Sequence, residues 1–507
     1  MKKNLFLLSA SLICFQLYSQ TPDIEWQKSY GGSSNDSANS IEQTNDGGYI
    51  VAGWSDSTDG DVTQNYGESD CWILKINNSG NIEWQKNIGG LKKDSASAIH
   101  QTNDGGYIVA GSSASNDGDF SGNHGVGDFL VVKLSSSGDV QWLKLLGGSE
   151  VDQALAIQQT SDNGYVVAGY TYSNDGDVSG NHGIRDFWVV KLDETGELQW
   201  QKALGGSQYD QANAVRQTSD GGYIVAGWST SNDGDVTGHH GLPITRDYWI
   251  VKLNGSGEII WQKSLGSDWD EIAYDVRQTP DDGYIVVGYS ESNNTGDVGP
   301  GYGGLDYWVV KLNSGGEIQW QKLLGGTEDD TAHSIDFTSD GGYIVSGASK
   351  SDFGDDSNHG GFDNWIVKLS NTGEIQWQKL MGGSNDETGG KIKQTSEGGF
   401  ILESTSESND GDVSGHHGML DYWVVKLGPD GLGLNEYNEK SSSSIYPNPV
   451  KDLLTIEGIS AGSKLIITSI NGKIVYRATA KSSKETIDVA NLPAGVYFLN
   501  EHKFIKK

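Results

Sequence analysis

The side chains here that could do chemistry are carboxylates, and they come in copies. Four segments read Asn-Asp-Gly-Asp, at 116–119, 174–177, 232–235 and 409–412, and a fifth reads Asp59-Gly-Asp61. Two further units decay to Thr295-Gly-Asp297 and Gly354-Asp-Asp356. The pairs Asp59/Asp61, Asp117/Asp119, Asp175/Asp177, Asp233/Asp235 and Asp410/Asp412 set hard oxygens on a loop bent at Gly, the donor type that Ca²⁺ takes. The full loop pattern with a distal Glu is absent, and Asx turns are the competing reading. A second series, Asp36, Asp94, Asp152, Asp210, Asp270, Asp330 and Glu387, follows Gly-Gly-Ser-like segments. It reads either as an acidic ring at a channel mouth, suited to cations or sugar hydroxyls, or as acids that accept N–H bonds in their own turns. A role repeated in every unit favours the second. A third series places His before Gly at His124, His182, His240, His359 and His417. One His per unit, spread along a repeat, does not converge on one transition-metal ion, so these read as turn residues.

Catalysis needs a singular constellation, and here every acid has counterparts. No Gly-x-Ser-x-Gly elbow, Cys/His pairing or phosphate loop occurs. The asymmetric features are few: the insertion Leu242-Pro-Ile-Thr245, Trp269, and a seventh unit altered at Glu387-Thr-Gly-Gly390 and Glu403-Ser-Thr405. A unique site, if the chain has one, is expected there. Trp54, Trp228 and Trp269 have the side chain to stack on sugars, against the alternative of burial.

These residues are positioned by a repeat. Trp26, Trp84, Trp142, Trp200, Trp261, Trp320 and Trp377 begin seven units spaced 58, 58, 58, 61, 59 and 57 residues apart. A Gly-Tyr-Ile-Val-type segment and an Asp-x-Trp-type segment recur in each. In the unit near 210–265, Ala212–Gln217 reads as a strand, Thr218–Gly222 as a tight turn and Tyr223–Gly227 as a second strand. A long Gly/Asn/Asp loop leads to a third strand at Asp247–Leu253, and a turn leads to a fourth at Glu258–Lys263. The middle strands are apolar on both faces, as a sandwiched sheet requires. Four antiparallel strands repeated seven times predict a seven-bladed β-propeller, with a β-solenoid as the alternative. The repeat region starts with a lone fourth-type strand at Ile24–Lys28 and ends on a third-type strand at Asp421–Leu427. Together they predict one blade that locks the ring, against the alternative that each unit is a blade by itself. The short turns then share one face and the long loops the other, where function on such scaffolds concentrates.

Composition bounds the rest. The net charge of −33 is uneven: residues 445–507 carry nine Lys/Arg and five Asp/Glu, net +4, which leaves −37 on the remainder. That excludes a phosphate backbone as a natural partner. Turns rely on 71 Gly and only 8 Pro, and 16 Trp with 22 Tyr supply ample surface to bury. Lys2, Lys3 and the apolar run Leu5–Phe15 read as a signal peptide, residues 1–19. No other apolar run is long enough to span a membrane. Cys71 remains alone in the mature chain and reads as a packed residue.

The repeat wording resembles β-propeller repeat proteins secreted by Bacteroidetes-type bacteria, over residues 24–427. After a Ser-rich linker, 429–444, come Tyr446-Pro-Asn-Pro449, Leu453-Leu-Thr-Ile456, Ile470-Asn-Gly-Lys-Ile-Val-Tyr476, Pro493-Ala-Gly-Val-Tyr-Phe-Leu499 and Lys503-Phe-Ile-Lys-Lys507. This series resembles the C-terminal sorting domain of the type IX secretion system, residues 445–507. The resemblance implies a small β-sandwich, recognition by the secretion machinery and a secreted or outer-membrane surface location. The stretch between Leu499 and Lys503 is shorter than the family's and puts the last hairpin in question. The expected function is a non-enzymatic binding or scaffold propeller, for a glycan or a surface protein. A glycan-degrading enzyme on the long-loop face and a structural matrix component are the alternatives. No cofactor beyond the candidate Ca²⁺ is indicated, and a monomer is expected.

Overall fold

The computed structural model describes residues 21–291, 294–353, 357–430, 444–459, 462–469, 473–499 and 502–507. The expected signal peptide, linker residues 431–443 and the segment Gly354-Asp-Asp356 lie outside them. Every named element is a β-strand, and no helix is long and apolar enough to cross a membrane.

The described residues up to 430 form one unit. Six four-stranded antiparallel sheets follow one another at 36–88, 94–146, 152–204, 210–265, 271–324 and 330–381. In the fourth, the strands are Asp210–Gln217, Tyr223–Ser229, Asp247–Leu253 and Ile259–Leu265. The first strand begins two residues before the expected Ala212, since Asp210 and Gln211 pair with Ser229 and Trp228. A bulge between Ala212 and Ala214 interrupts the period-two pattern and hides that start.

The seventh sheet joins the two ends of the repeat. Strand Ile24–Tyr30 pairs antiparallel with Asp421–Leu427, with Lys28 opposite Val424 and Ser29 opposite Trp423. The chain is a seven-bladed β-propeller closed by its first described strand. The same bond is used at the seam as elsewhere. Six of the seven third strands carry a buried Trp, and in five of them its indole N–H donates to the Gln of the Trp-Gln-Lys segment, as from Trp188 to Gln201 at 2.9 Å and from Trp423 to Gln27 at 2.8 Å. The second blade has Leu130 instead, and the Trp365 indole has no partner among the described residues. A buried indole N–H left unmade would cost about 1–3 kcal/mol, which explains why Trp and Gln recur together. Blades pack through aromatic side chains. Trp84 meets Tyr107 of the next sheet edge-on at 5.7 Å, and the hydroxyl of Tyr422 donates to the carbonyl of Trp72 at 3.0 Å. Cys71 is buried in this packing, and burial holds its thiol well above the usual range.

On the short-turn face each third strand buries a lysine. Lys133 reaches Asp104 of its own blade's first hairpin at 3.0 Å, and Lys252 reaches Asp220 at 2.9 Å.

The described residues from 444 onward form a second unit. Its two sheets order as Ser444–Tyr446, Leu453–Glu457, Lys484–Asp488 and as Ile474–Thr479, Lys464–Ser469, Gly495–Leu499, His502–Lys506. Leu454, Ile456, Ile467, Leu499 and Phe504 are buried in one core. The short final hairpin forms in full register, from Gly495 opposite Lys506 to Leu499 opposite His502.

Candidate functional site

The first strand of every blade starts on the long-loop face with an acid. Asp36, Asp94, Asp152, Asp210, Asp330 and Glu387 are all fully buried there. The fifth member is Glu271, not Asp270. Glu271 stands five residues after Gly266, as Asp36 does after Gly31; Asp270 lies outside the strand and pairs with Arg246 at 3.2 Å. Each acid closes its own loop. Asp36 accepts from the Gly32 N–H at 2.7 Å and the Ser57 hydroxyl at 2.8 Å. Burial, and then the neighbouring Asp128, push the Asp152 carboxyl up to about 6 against hydrogen bonds from Thr171, Gly148 and Ser173. Asp128 belongs to the third strand of the preceding blade and receives the Nδ1 of His124 at 2.6 Å. His182, His240, His359 and His417 meet Asp186, Asp247, Asp363 and Asp421 in the same way. Sequence reading missed this pairing, although the His-to-Asp offset of four recurs in four of the five cases.

The Asp-Gly-Asp loops clamp the Gly-Gly-Ser loops. Asp59, Asp117, Asp175, Asp233 and Asp410 accept the N–H of Ser33, Leu91, Ser149, Ser207 and Ser384 at 2.7–2.8 Å. Asp61, Asp119, Asp177, Asp235 and Asp412 take the N–H of Gly31, Gly89, Gly147, Gly205 and Gly382 at 3.1–3.4 Å. Among the described residues, no three His, Cys, Asp or Glu side chains close on one point as a metal centre would need.

Chemistry that differs between blades lies on the axis. Three residues after the leading acid, the first strands place Asn39, Ser97, Leu155, Asn213, Tyr274, His333 and Gly390. One residue after it stand Ser37, Ser95, Gln153, Gln211, Ile272, Thr331 and Thr388. Most of these line a cavity of about 500 Å³ at the long-loop end of the axis, together with Trp54, Lys391 and Glu403. The amides are held in place. Asn39 donates to the carbonyl of Ala96 at 2.8 Å, Asn213 to that of Ala273 at 2.7 Å, and Gln211 to Asn213 at 2.8 Å. Tyr274 packs on His333 at 4.8 Å, and His333 Nδ1 lies 2.5 Å from the carbonyl oxygen of Gly389. Beside the cavity Arg185 stands over Tyr170 and Trp228, each at 4.7 Å. Trp54 is half-buried on the cavity wall, Trp228 is buried between Arg185 and Arg246, and Trp269 stays 47% exposed outside it.

The seventh blade shapes the wall. Its first strand is split into Glu387–Thr388 and Ile392–Gln394 by Gly389-Gly390. A Cβ on Gly389 would stand 2.1 Å from the carbonyl carbon of Gly347, so only Gly fits. Where other blades carry Ala52, Ala110, Ala168, Ala226, Val287 or Ser346 in the second strand, this one carries Glu403. Glu403 is 1% exposed. Its Oε1 accepts the N–H of Lys391 at 2.9 Å, while Oε2 has no partner among the described residues. Burial raises its carboxyl to about 7, against the pull of the Lys391 N–H and ammonium.

Below the cavity the channel narrows to an enclosed space of about 20 Å³, room for one water. Arg216, Arg277, Lys391 and Lys393 surround it. Asp275 lies 3.2 Å from Arg216 and 3.7 Å from Arg277, and Asp336 lies 3.5 Å from Lys393. The Arg216 and Arg277 guanidiniums and Lys391 and Lys393 ammoniums hold Asp275 far below the usual carboxylate range, although burial pushes the other way.

Residues 444–504 match the secretion system C-terminal sorting domain. This is the sorting domain of the type IX system, so the chain is exported and is a secreted or cell-surface protein carrying a propeller. Regulatory protein FlaEY of Caulobacter vibrioides is 23% identical over 403 residues, covering 70% of this chain and 41% of its own length. The chain thus spans about two fifths of that curated relative. Among solved structures, PorZ, a surface component of the type IX secretion system of Porphyromonas gingivalis, is 12% identical, with a TM-score of 0.42 over 94% of this chain and 60% of that one. A Bacteroides caccae protein of unknown function is 11% identical, with a TM-score of 0.36 over 61% of this chain and 89% of its own.

Proposed function

We propose that this exported propeller is a non-enzymatic binding protein whose recognition site is the axial cavity on the long-loop face, and that its ligand is a glycan. The observation that carries the reading is the placement of difference. The leading acids and third-strand lysines recur in all seven blades, the Trp–Gln pairs in most, and all of them hold the scaffold. Substitution between blades concentrates on the positions that line the cavity. Fixed amides, hydroxyls and a half-buried indole suit sugar hydroxyls and the apolar face of a pyranose. The described lining holds one carboxyl, Glu403. Hydrolysis by a pair of carboxylates needs a second one across the scissile bond.

A glycan array followed by a reducing-end assay tests this. Retention of specific glycans without new reducing ends is expected, and Trp54→Ala should weaken retention at least tenfold. Release of reducing ends would make the protein an enzyme. Retention unaffected by changes at Trp54 and Gln211 would place binding elsewhere.

A further inference from the structure

The cavity carries two unsatisfied groups. Glu403 Oε2 is buried and has no hydrogen-bond partner among the described residues, although it lies on the cavity wall. Lys391 also lines the cavity, and among the described residues no carboxylate lies within ion-pair distance of its ammonium. Lys391 also borders the enclosed space beneath. There Arg216, Arg277, Lys391 and Lys393 face the carboxylates of Glu42, Asp275 and Asp336, an excess of one positive charge while Glu403, the fourth carboxyl beside Lys391, holds its proton. Arg216 Nε is likewise buried and unpartnered. This is a local reversal within a body whose net charge is strongly negative.

An unpartnered buried carboxyl oxygen calls for a hydroxyl, which can accept from it when it is protonated or donate to it when it is ionised, and an unpaired ammonium on a positive floor calls for an anion. A ligand that satisfies both carries a hydroxyl next to a group of charge −1. A phosphate monoester, near −2, would overcompensate the floor and would lie close to Glu403. We propose that the cavity selects acidic saccharides, with the sugar's carboxylate or sulfate ester on Lys391 and a neighbouring hydroxyl hydrogen-bonded to Glu403 Oε2. This rests on the glycan-binding reading above and names the class of glycan. Gly390 leaves room for the contact, since a Cβ there would stand 3.0 Å from Glu403 Oε2 and 1.6 Å from the Glu403 carbonyl oxygen.

The test is calorimetry on the full chain with three probes: trigalacturonate, its carboxyl-reduced trigalactoside, and a sulfated galactan trisaccharide. At least one acidic probe is expected to bind tenfold or more tightly than the reduced one. Binding by trigalacturonate alone assigns the anion as carboxylate; binding by both acidic probes assigns a site open to either. Lys391→Met should bring acidic and neutral probes to equal affinity, while Lys391→Arg keeps the preference. The wild-type comparison stands even if Lys391→Met fails to fold. Equal binding of acidic and reduced probes, or a preference that survives in Lys391→Met, overturns the inference and leaves the glycan reading in place. If none of the three binds while an array retains other neutral glycans, the inference alone fails. If no glycan is retained at all, both fail.

Discussion

Six blades of this propeller are built from one continuous stretch of chain each, and the seventh is built from both ends of the repeat. The six repeat one solution: an acid closing the upper loop, a buried Trp–Gln pair in most blades, and a lysine clamped to the first hairpin. The seventh keeps the acid as Glu387 and the Trp–Gln bond across the seam, but breaks its first strand and buries a carboxyl where the others bury a small side chain. Its lysine, Lys426, meets Thr395 in place of a hairpin Asp. The regular blades keep unpartnered carboxylate oxygens such as Asp186 Oδ1 and Asp210 Oδ1 in their upper loops, whereas the seventh sets one, Glu403 Oε2, on the cavity wall. In repeat scaffolds, departures from the repeat are where a site is built.

Removing residues 21–30 should separate the two classes most sharply. It deletes one strand, and only from the seventh sheet, yet the edge 421–427 and the buried indole of Trp423 lose their partners together. The single cooperative thermal transition should disappear or fall by more than about 10 °C, since an open ring exposes two blade faces. An unchanged melting curve would show that the ring does not depend on its seam.

The next effect is steric. Gly389→Val places methyl groups against the Gly347 backbone, where even a Cβ would lie 2.1 Å from the carbonyl carbon. Overpacking against backbone should cost about 3 kcal/mol or more in denaturant titration. Gly105→Ala, in a regular blade's hairpin, meets nothing within 4 Å but sits at φ +82°. Left-handed strain alone should cost about 1–2 kcal/mol. Equal costs would mean the seventh blade has more slack than its packing shows.

Glu403 gives a pH test of the same contrast. Its folded carboxyl titrates near 7, raised mainly by burial, against an ordinary 4.5. The folded state therefore binds the extra proton between those values, so stability falls as pH climbs from about 4.5 through about 7. Above that window the deficit approaches about 3 kcal/mol. Glu403→Ala, which restores the residue found in sheets one to four, should remove this slope and be the more stable form at pH 8. A variant that parallels the wild type across that range would mean the carboxyl is not desolvated.

Much of this fold was legible because the repeat states its register seven times. Spacing fixed the blades, and the lone Ile24–Lys28 segment announced the closure. The site was legible only as departure. Gly389-Gly390 and Glu403 stood out in sequence, but nothing local says that Glu403 reaches the axis through the gap the glycines leave. The cavity ring was hidden because its members share no residue type. Its signal was an offset, three residues beyond the leading acid, where Asn, Ser, Leu, Tyr, His and Gly replace one another. Matching by type also misplaced the fifth acid at Asp270, where counting from Gly266 points to Glu271. The buried third-strand lysines escaped notice because their carboxylate partners, such as Asp104, lie about 30 residues away.

The smallest effect belongs to those lysine clamps, and its sign is opposite to that of Glu403. Asp281 accepts from Thr279 and pairs with Lys311 at 2.9 Å; the Thr279 hydroxyl, and then Lys311 against the burial penalty, pull its carboxyl down to about 2. A depressed folded pKa contributes stability that is present above the ordinary 3.8 and is lost as pH falls from there through about 2. Asp281 is more than half exposed, so solvent screening keeps the contribution near or below about 1 kcal/mol. Asp281→Asn should therefore melt slightly below the wild type at pH 5 to 7, and the two curves should converge as pH approaches 2. The equivalent change in the seventh blade, Glu397→Gln, removes a carboxylate with no ion-pair contact to Lys426 and should shift the melting temperature less than Asp281→Asn does. Equal shifts would mean that the seventh blade is clamped on its lower face like the other six, confining its difference to the wall of the cavity.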